Sequence, residues 1–144
     1  MNYEIVLVKT DDELAEVAAL DKLLDESMKR FLSDSFNPGS IVRKYEDYLD
    51  GARNFALLAR VESGTIGMAR CVLGNVAMLE SLIVLPTWRQ QGVGTALLTA
   101  ARDISKARGQ EVMLLNVLGG NDGARRLYER EGFQLFRTTM FSKL

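Results

Sequence analysis

The stretch from residue 84 to residue 97, VLPTWRQQGVGTAL, constrains the fold of this chain more than any other. It follows an apolar run from Met78 to Val84 and leads into a helical pattern, so it predicts a strand, a tight turn and a helix with two glycines at its start. The first N–H groups of a helix have no partner within the helix, and the helix dipole adds partial positive charge there. Such a junction binds a phosphate or pyrophosphate without a lysine, although a plain turn before a surface helix is the alternative.

Two common phosphate-binding motifs do not fit this stretch. A P-loop requires Lys and then Ser or Thr directly after its last glycine, whereas Gly94 is followed by threonine and alanine. The dinucleotide-binding fingerprint requires a small residue three positions after its second glycine, where this chain has Leu97. The spacing that is present is Arg89-x-x-Gly92-x-Gly94.

This spacing resembles the pyrophosphate loop of the GNAT N-acetyltransferase superfamily, whose motif is Arg/Gln-x-x-Gly-x-Gly/Ala. The family's second signature is an Asn, then Ala, then Leu-Tyr-Glu, then Gly-Phe. The matching residues here are Arg89, Gln90, Gln91, Gly92, Val93 and Gly94 for the loop, and Asn121, Ala124, Leu127, Tyr128, Glu129, Gly132 and Phe133 for the second signature. Both motifs occur in order and with the family's spacing, and the resemblance covers the chain from about residue 54 to the end.

Composition predicts an ordinary globular protein. The chain has 144 residues, of which 47% are apolar and 26% charged, with 18 basic against 19 acidic side chains. This length suits a single core, so we expect one N-acetyltransferase domain over residues 1–144. The near-neutral charge disfavours a nucleic-acid partner, and no apolar run is long enough for a membrane span. We therefore expect neither nucleic acid nor membrane as a partner.

The chain contains one cysteine and no histidine. Cys71 cannot form an intrachain disulfide and the N-terminus lacks a signal-peptide pattern, so we expect a cytoplasmic protein. The lack of histidine excludes Ser-His-Asp and Cys-His nucleophile pairs and disfavours a zinc site, so we expect no metal. Proton transfer must then use a carboxylate, tyrosine, cysteine, lysine or water.

The hydropathy pattern predicts an α/β domain with a mixed, mostly antiparallel central sheet flanked by helices. An N-cap and an acidic first turn at residues 10–13 begin the first helix, and Gly109 is expected just after the helix that follows the loop. The apolar run 112–117 suits a strand buried on both faces. The expected strands are 3–9, 54–61, 65–73, 76–84, 112–117 and a last strand or hairpin from 133; the expected helices are 11–31, 41–49, 93–108 and 121–131, with a loop at 33–40.

The resemblance implies a donor site for acetyl-CoA. In the family, the loop amides bind the pyrophosphate, and the strand before the loop splays from its parallel neighbour so that the pantetheine arm pairs with its backbone. Asn121 is the family's usual contact to the donor arm, although a plain helix N-cap is the alternative. The cofactor-binding residues implied are Leu82, Ile83, Val84, Arg89, Gln90, Gln91, Gly92, Val93, Gly94, Thr95 and Asn121.

Two side chains are the catalytic candidates. Tyr128 lies two helical turns after Asn121 and shares its face. The matching family tyrosine protonates the leaving thiolate; the alternative is an aromatic ring packed under the sheet. Glu80 lies on the strand before the loop, where the family often has an acidic residue, and is the candidate base. The alternatives are an exposed carboxylate without a role and a water relay, in which Asn116 can orient water.

The resemblance implies an acetyl-CoA-dependent N-acetyltransferase in which a primary amine attacks the thioester directly in a ternary complex. We expect a small-molecule acceptor; the alternatives are a peptide or protein acceptor, and a non-catalytic acyl-CoA-binding module. Asp25, Glu26 and Asp34 can attract a cationic amine, unless they are merely solvated. Few residues follow Phe133, so the acceptor cleft is either open or filled by a partner subunit in a homodimer. Acetyl and longer acyl donors remain open alternatives.

Overall fold

A computed structural model describes residues 2–32, 44–49 and 53–144, and in these ranges the chain forms a five-stranded mixed sheet with helices packed against it. The strands are β1 (Glu4–Leu7), β2 (Phe55–Val61), β3 (Gly64–Leu73), β4 (Ala77–Val84) and β5 (Met113–Leu115), in that spatial order. The helices are α1 (Asp11–Met28), α2 (Val93–Ala107) and α3 (Asp122–Arg130), with single 3₁₀ turns at Lys29–Phe31, Tyr45–Tyr48 and Pro86–Trp88. The predicted α/β class is confirmed.

The strand pairing explains how a gap opens in the sheet. Strands β1 to β4 form an antiparallel meander, and β5 runs parallel to β4. The β4–β5 ladder joins Ala77–Leu79 to Met113–Leu115 and ends there. In the described part of the chain, the rest of β4 therefore has no strand opposite it on that side. This is the splay of strands that the family resemblance implied.

Apolar residues of the sheet are divided between two clusters, because successive side chains on a strand point to opposite faces. Along β2, for example, Leu57 belongs to the cluster under α2, whereas Leu58 belongs to the cluster under α1. The cluster under α2 also contains Phe55, Cys71, Leu79, Leu97 and Ala101, and the cluster under α1 also contains Val17, Leu20, Met68 and Ile83. Each helix thus covers one face of the same sheet.

At Glu80, the alternation of β4 side chains between the two faces of the sheet is interrupted. Leu79 lies opposite Cys71 and Ser81 lies opposite Arg70, so Glu80 is an extra residue with no partner in the register. Such an insertion is a β-bulge, which bends the strand and redirects the side chains after it. Accordingly Leu79 packs under α2, while Ile83 packs under α1. The bulge lies where the ladder with β5 ends.

The predicted helix boundaries are largely confirmed. Thr10 and Glu13 form a capping box at the start of α1, where each side chain accepts a hydrogen bond from the other residue's backbone N–H. Gly109 follows the end of α2 with a φ of 89°, the left-handed conformation expected at this position. The side chain of Asn121 caps α3 by accepting from the Ala124 N–H.

Three expectations need correction. The helix expected over 41–49 is the short 3₁₀ turn Tyr45–Tyr48 where it is described, and residues 41–43, like the whole of the predicted loop 33–40, lie outside the described ranges. The strand at 112–117 is shorter than expected and not buried on both faces, since Val112 is 52% exposed. Residues from Phe133 onward form no strand within the described part of the chain.

The last two corrections share a physical cause. A strand is defined by its partner, and an apolar run without a second strand beside it has no ladder to join. The outer edge of β5 has no paired strand in the described ranges, so its flanks are exposed. Leu135, Phe136 and Met140 are likewise 76%, 72% and 88% exposed. In the described ranges, every helix is too short or too polar to cross a membrane.

Candidate active site

The turn between β4 and α2 is built from unusual backbone conformations. Gln90 has a φ of 61°, and among the described residues it is the one non-glycine residue with a positive φ. Gly92, the N-cap of α2, has a φ of 84°, and no side chain caps this helix end. Left-handed residues in a turn direct neighbouring N–H groups toward one side and create an anion-binding concavity. Strained backbone of this kind is typical of functional sites.

Two side chains of the loop donate hydrogen bonds to backbone carbonyls of the residues just before it. Arg89 Nε donates a hydrogen bond to the carbonyl of Val84 at 2.9 Å, and Gln91 Nε2 donates to the carbonyl of Thr87 at 3.2 Å. Val93 is buried in the cluster under α2, so the loop is tied to the core at both ends. The side chains thus fix the loop, and its backbone N–H groups remain the groups suited to bind an anion.

The two loop glycines differ in what a side chain would meet. A methyl group at Gly92 would contact nothing within 4 Å, but its φ of 84° is unfavourable for any other residue. Gly94 has no such φ, and a methyl group there would lie 3.7 Å from both Val84 Cγ2 and Leu127 Cδ2, an ordinary contact. Gly94 therefore marks the point where β4, α2 and α3 meet.

Asn121 lies between two helices. Its Oδ1 accepts from the N–H of Ala124 at 3.4 Å, and its Nδ2 lies 3.6 Å from the sulfur of Met28 at the end of α1. A methyl group on the preceding Gly120 would lie 3.6 Å from the ring of Phe31. The end of α1 and the turn after it therefore lie against the start of α3. The N-cap interpretation of Asn121 is confirmed, and its contact with the donor stays a prediction.

Tyr128 packs between α3 and the sheet. Its ring joins the cluster under α2 and meets Phe133 edge to face, with centroids 5.8 Å apart. Burial raises the pKa of the phenol to about 12. The phenol therefore keeps its proton throughout the neutral range and can act as a hydrogen-bond donor or acid. A methyl group on Gly94 would lie 3.7 Å from Leu127 Cδ2, so α3 lies near the loop at the residue before Tyr128.

Glu80 is exposed at the bulge of β4, one residue beyond the last pair of the β4–β5 ladder. It also lies close enough to influence a neighbouring tyrosine. Burial raises the pKa of Tyr48, and the negative charges of Glu80 and Asp21 add to this rise against the opposing effect of Arg70. Of the strand residues expected to bind the donor, Leu82 and Val84 pack toward α2, and Ile83 is buried toward α1.

A buried polar network beside the bulge was not expected from the sequence. Asp21, Arg70 and Ser81 are 1%, 4% and 3% exposed. Ser81 Oγ donates to Asp21 Oδ1 at 2.6 Å and accepts from Arg70 Nη2 at 3.0 Å, while Arg70 Nε lies 3.0 Å from Asp21 Oδ2. Arg70 Nη1 also donates to the Tyr48 hydroxyl at 2.7 Å, and the Tyr45 hydroxyl donates to Asp21 Oδ2 at 2.9 Å.

The sequence does contain a signal for this network. Asp21 occupies a position on the apolar stripe of α1 that includes Leu14, Val17 and Leu24, and Arg70 interrupts the apolar strand β3. A charge at a core position is normally paired, so two such charges of opposite sign are candidates for each other. Of the carboxylates predicted to attract an amine, Asp25 and Glu26 are exposed on α1, and Asp34 lies outside the described ranges.

A depression of about 1270 Å³ is lined mainly by residues of α2, β5 and the segment after α3. Arg102, Gln110 and Phe133 are among its lining residues, and none of the predicted site residues lines it. The candidate site is therefore the gap between β4 and β5 rather than this depression.

Comparison with known proteins agrees with this geometry. Residues 6–133 match the acetyltransferase (GNAT) family. The chain belongs to the GNAT family. This match includes both the loop of residues 89–94 and the second signature that begins at Asn121.

Individual relatives cover shorter stretches or share the fold at low identity. The chain is 51% identical over 39 residues to aminoglycoside N(6')-acetyltransferase type 1 of Klebsiella aerogenes, covering 27% of this chain and 26% of that protein. An aminoglycoside N-acetyltransferase solved in complex with CoA superposes with a TM-score of 0.75 at 19% identity, covering 98% of both chains. A ribosomal-protein-alanine N-acetyltransferase from Brucella melitensis superposes with a TM-score of 0.68 at 17% identity over 100% of both chains. The matches span 26% to 40% of the length of the curated relatives.

We predict that Cys71 does not react with a thiol reagent in the folded protein. The side chain is fully buried, and burial raises the pKa of its thiol to about 12, so the reactive thiolate is scarce at pH 8. Absorbance of an aromatic disulfide reagent at pH 8 should show no reaction in buffer and one thiol per chain in urea. Rapid reaction of the folded protein would contradict the burial of this residue.

Proposed function

We propose that this chain is an acetyl-CoA-dependent N-acetyltransferase that binds donor and amine together and lets the amine attack the thioester directly. The observation that carries the proposal is the loop at the start of α2, in which Gln90 and Gly92 have left-handed conformations, beside the part of β4 that no longer pairs with β5. Membership of the GNAT family supports the same conclusion. Much of the rate would come from placing the two reactants side by side.

The donor would bind along the loop and the gap. In this proposal, the backbone N–H groups of Gln91 to Thr95 bind the pyrophosphate, since the start of α2 has no side-chain cap. The pantetheine arm pairs with backbone groups of Leu82 to Val84, where β4 has no strand opposite it among the described residues. Arg89 and Gln90 open the loop, and Asn121 contacts the arm from the start of α3.

The amine must lose a proton before it attacks. An alkylamine with a pKa of about 10.4 is neutral to less than one part in a thousand at pH 7, which costs about 4–5 kcal/mol. We propose Glu80 as the group that accepts this proton, directly or through water, because it is exposed where β4 and β5 separate. A positioned base adds about 10²- to 10⁴-fold to the rate.

Tyr128 would assist the leaving thiolate. Its pKa of about 12 exceeds that of an ordinary thiol, near 8.5, by about three to four units. Full transfer of the proton to the thiolate would therefore be uphill in the ligand-free environment. A hydrogen bond from the phenol to the sulfur, strengthening as negative charge develops there, is the role that this environment supports.

We propose a small cationic amine as the acceptor. Exposed Asp25 and Glu26 on α1 favour a positive charge near the end of that helix. Similarity to aminoglycoside acetyltransferases in both sequence and fold supports this class. A protein acceptor is the second candidate, supported by the fold shared with a ribosomal-protein-alanine N-acetyltransferase. The homodimer stays a prediction; the exposed Phe136 and Met140 are side chains that a subunit contact can cover.

Thiol release from acetyl-CoA tests the function. Separate pools of aminoglycosides, polyamines, amino acids, arylamines and short peptides identify the acceptor class, and a reaction without acceptor gives the background. Propionyl-CoA in the same assay compares acyl groups. Turnover with the aminoglycoside or polyamine pool is expected. No turnover with any pool, combined with tight acetyl-CoA binding by calorimetry, would contradict the enzymatic role and favour the non-catalytic module.

We predict that Gly92→Ala weakens acetyl-CoA binding by at least about tenfold, equivalent to about 1.4 kcal/mol. The new methyl group faces open space and would hold the pyrophosphate away from the loop amides. Gly109→Ala is the matched control, because Gly109 has a φ of 89° at the other end of α2 and also faces open space. Both changes should cost about 1–2 kcal/mol of stability, but calorimetry should find weaker binding in Gly92→Ala alone.

We predict that Tyr128→Phe lowers kcat by about 10²-fold, because the leaving thiolate loses its hydrogen-bond donor, while the Kd for acetyl-CoA stays the same. The wild-type enzyme should show no alkaline loss from this group below about pH 11, since its pKa is about 12 and the protonated form is the active one. Tyr3→Phe is the control, because the Tyr3 hydroxyl lies 3.5 Å from the Gly92 carbonyl but has no chemical role here. Full turnover by Tyr128→Phe would refute the assignment.

A further inference from the structure

The buried network of Asp21, Arg70 and Ser81 lies at the same place as the β4 bulge. Ser81 directly follows the bulge residue Glu80, and Arg70 lies opposite Ser81 in the neighbouring strand. Asp21 reaches both of them from the middle of α1. Three elements of the fold therefore meet through charged and polar atoms at the first residue after the bulge.

This network fixes Ser81 from two directions. Its hydroxyl donates to the carboxylate of Asp21 at 2.6 Å and accepts from the guanidinium of Arg70 at 3.0 Å, so it has no rotational freedom without losing a buried hydrogen bond. The chain after a bulge can slip by one residue, which exchanges the two faces of the strand. A slip here would turn Ser81 away from Asp21 and move Ile83 out of the cluster under α1.

Stability does not by itself explain a charged pair in this position. A buried ion pair seldom stabilises a fold more than apolar side chains of the same volume would, because both charges lose their hydration. Loss of one partner, in contrast, leaves a buried charge unpaired. Such a network makes the observed register of β4 much more stable than a slipped register. It therefore favours a single, well-defined geometry at the bulge.

We propose that Asp21, Arg70 and Ser81 are positioning residues that lock the β4 bulge and thereby hold Glu80 at the point where β4 separates from β5. The hydroxyl of Ser81 is the link between the ion pair and the strand. Tyr48 and Tyr45 extend the network to the 3₁₀ turn before β2 through their hydrogen bonds to Arg70 and Asp21. The catalytic part of this proposal rests on the proposed function, in which Glu80 accepts the proton of the amine.

Amide hydrogen exchange tests the lock without any acceptor. Ser81→Ala removes one oxygen atom and leaves Asp21 and Arg70 in contact, so the protein is expected to fold. Exchange at the amides of residues 80–84 should become at least about tenfold faster in this variant. Ser81→Thr, which keeps the hydroxyl, should restore most of the protection. Unchanged exchange at these residues in Ser81→Ala would overturn the proposal.

Glu16→Gln is the matched control. Glu16 also joins α1 to the sheet, with its Oε2 2.6 Å from Arg60 Nη2 and its Oε1 accepting from Thr65 at 2.8 Å. This contact is made to β2 and β3, away from the bulge. Glu16→Gln should therefore leave both the exchange at residues 80–84 and kcat within about twofold of the wild type, whatever its effect on overall stability.

Kinetics tests whether the network acts through Glu80. Ser81→Ala is expected to lower kcat by about tenfold and to leave the Kd for acetyl-CoA unchanged. A small displacement of a catalytic group produces a loss of this size. Glu80→Gln should flatten the acidic limb of the pH–rate profile. In the double variant, Ser81→Ala should then cause no further loss, because the group that it positions is already gone.

The outcomes separate this proposal from the proposed function. If the two substitutions multiply in the double variant, the network does not act through Glu80 and the inference fails while the base role stands. If Glu80→Gln leaves kcat and the pH profile unchanged, the base role fails and the catalytic half of the inference fails with it. Faster exchange in Ser81→Ala would then still support the lock itself.

Discussion

The separation of β4 from β5 after Leu79 is the constraint on which the candidate site depends. Up to that residue the two strands satisfy each other's backbone groups, and beyond it β4 has a partner on its β3 side alone among the described residues. Backbone N–H and C=O groups are strong hydrogen-bonding groups that normally find partners. A strand edge of this kind inside an otherwise covered sheet is suited to an extended ligand that supplies amide groups, and the pantetheine arm of CoA has that chemistry.

The loop that follows β4 complements this edge at its far end. Gln90 and Gly92 adopt left-handed conformations at a helix start without a side-chain cap, so the turn concentrates N–H donors and the positive end of the α2 dipole in one place. The hydrogen bond from Arg89 to the Val84 carbonyl ties this turn to the last residue of the strand. The edge and the loop thus form one continuous surface, with backbone donors and acceptors first and a turn suited to an anion after them.

The sequence predicted the parts of this arrangement that depend on local pattern. The loop spacing, the capping box at Thr10 and Glu13, the left-handed Gly109 and the N-cap at Asn121 all follow from residues close together in the chain. The bulge at Glu80 and the network of Asp21, Arg70 and Ser81 depend on strand register and on contacts 60 residues apart, as between Asp21 and Ser81, so periodicity could not reveal them. The strand expected after Phe133 failed for the related reason that a strand requires a partner, and a hydropathy pattern does not supply one.

The environments of the titratable groups favour direct transfer over a covalent enzyme intermediate. Cys71 is the chain's one thiol, yet burial raises its pKa to about 12 and the side chain lies in the cluster under α2, where it cannot meet a thioester. Burial also raises the pKa of Tyr128 to about 12, which keeps the phenol protonated and able to donate a hydrogen bond at every physiological pH. Glu80 is exposed where water can relay a proton. A protonated phenol and an exposed carboxylate suit the two roles of the proposed mechanism, since one proton must leave toward water while negative charge on sulfur is stabilised.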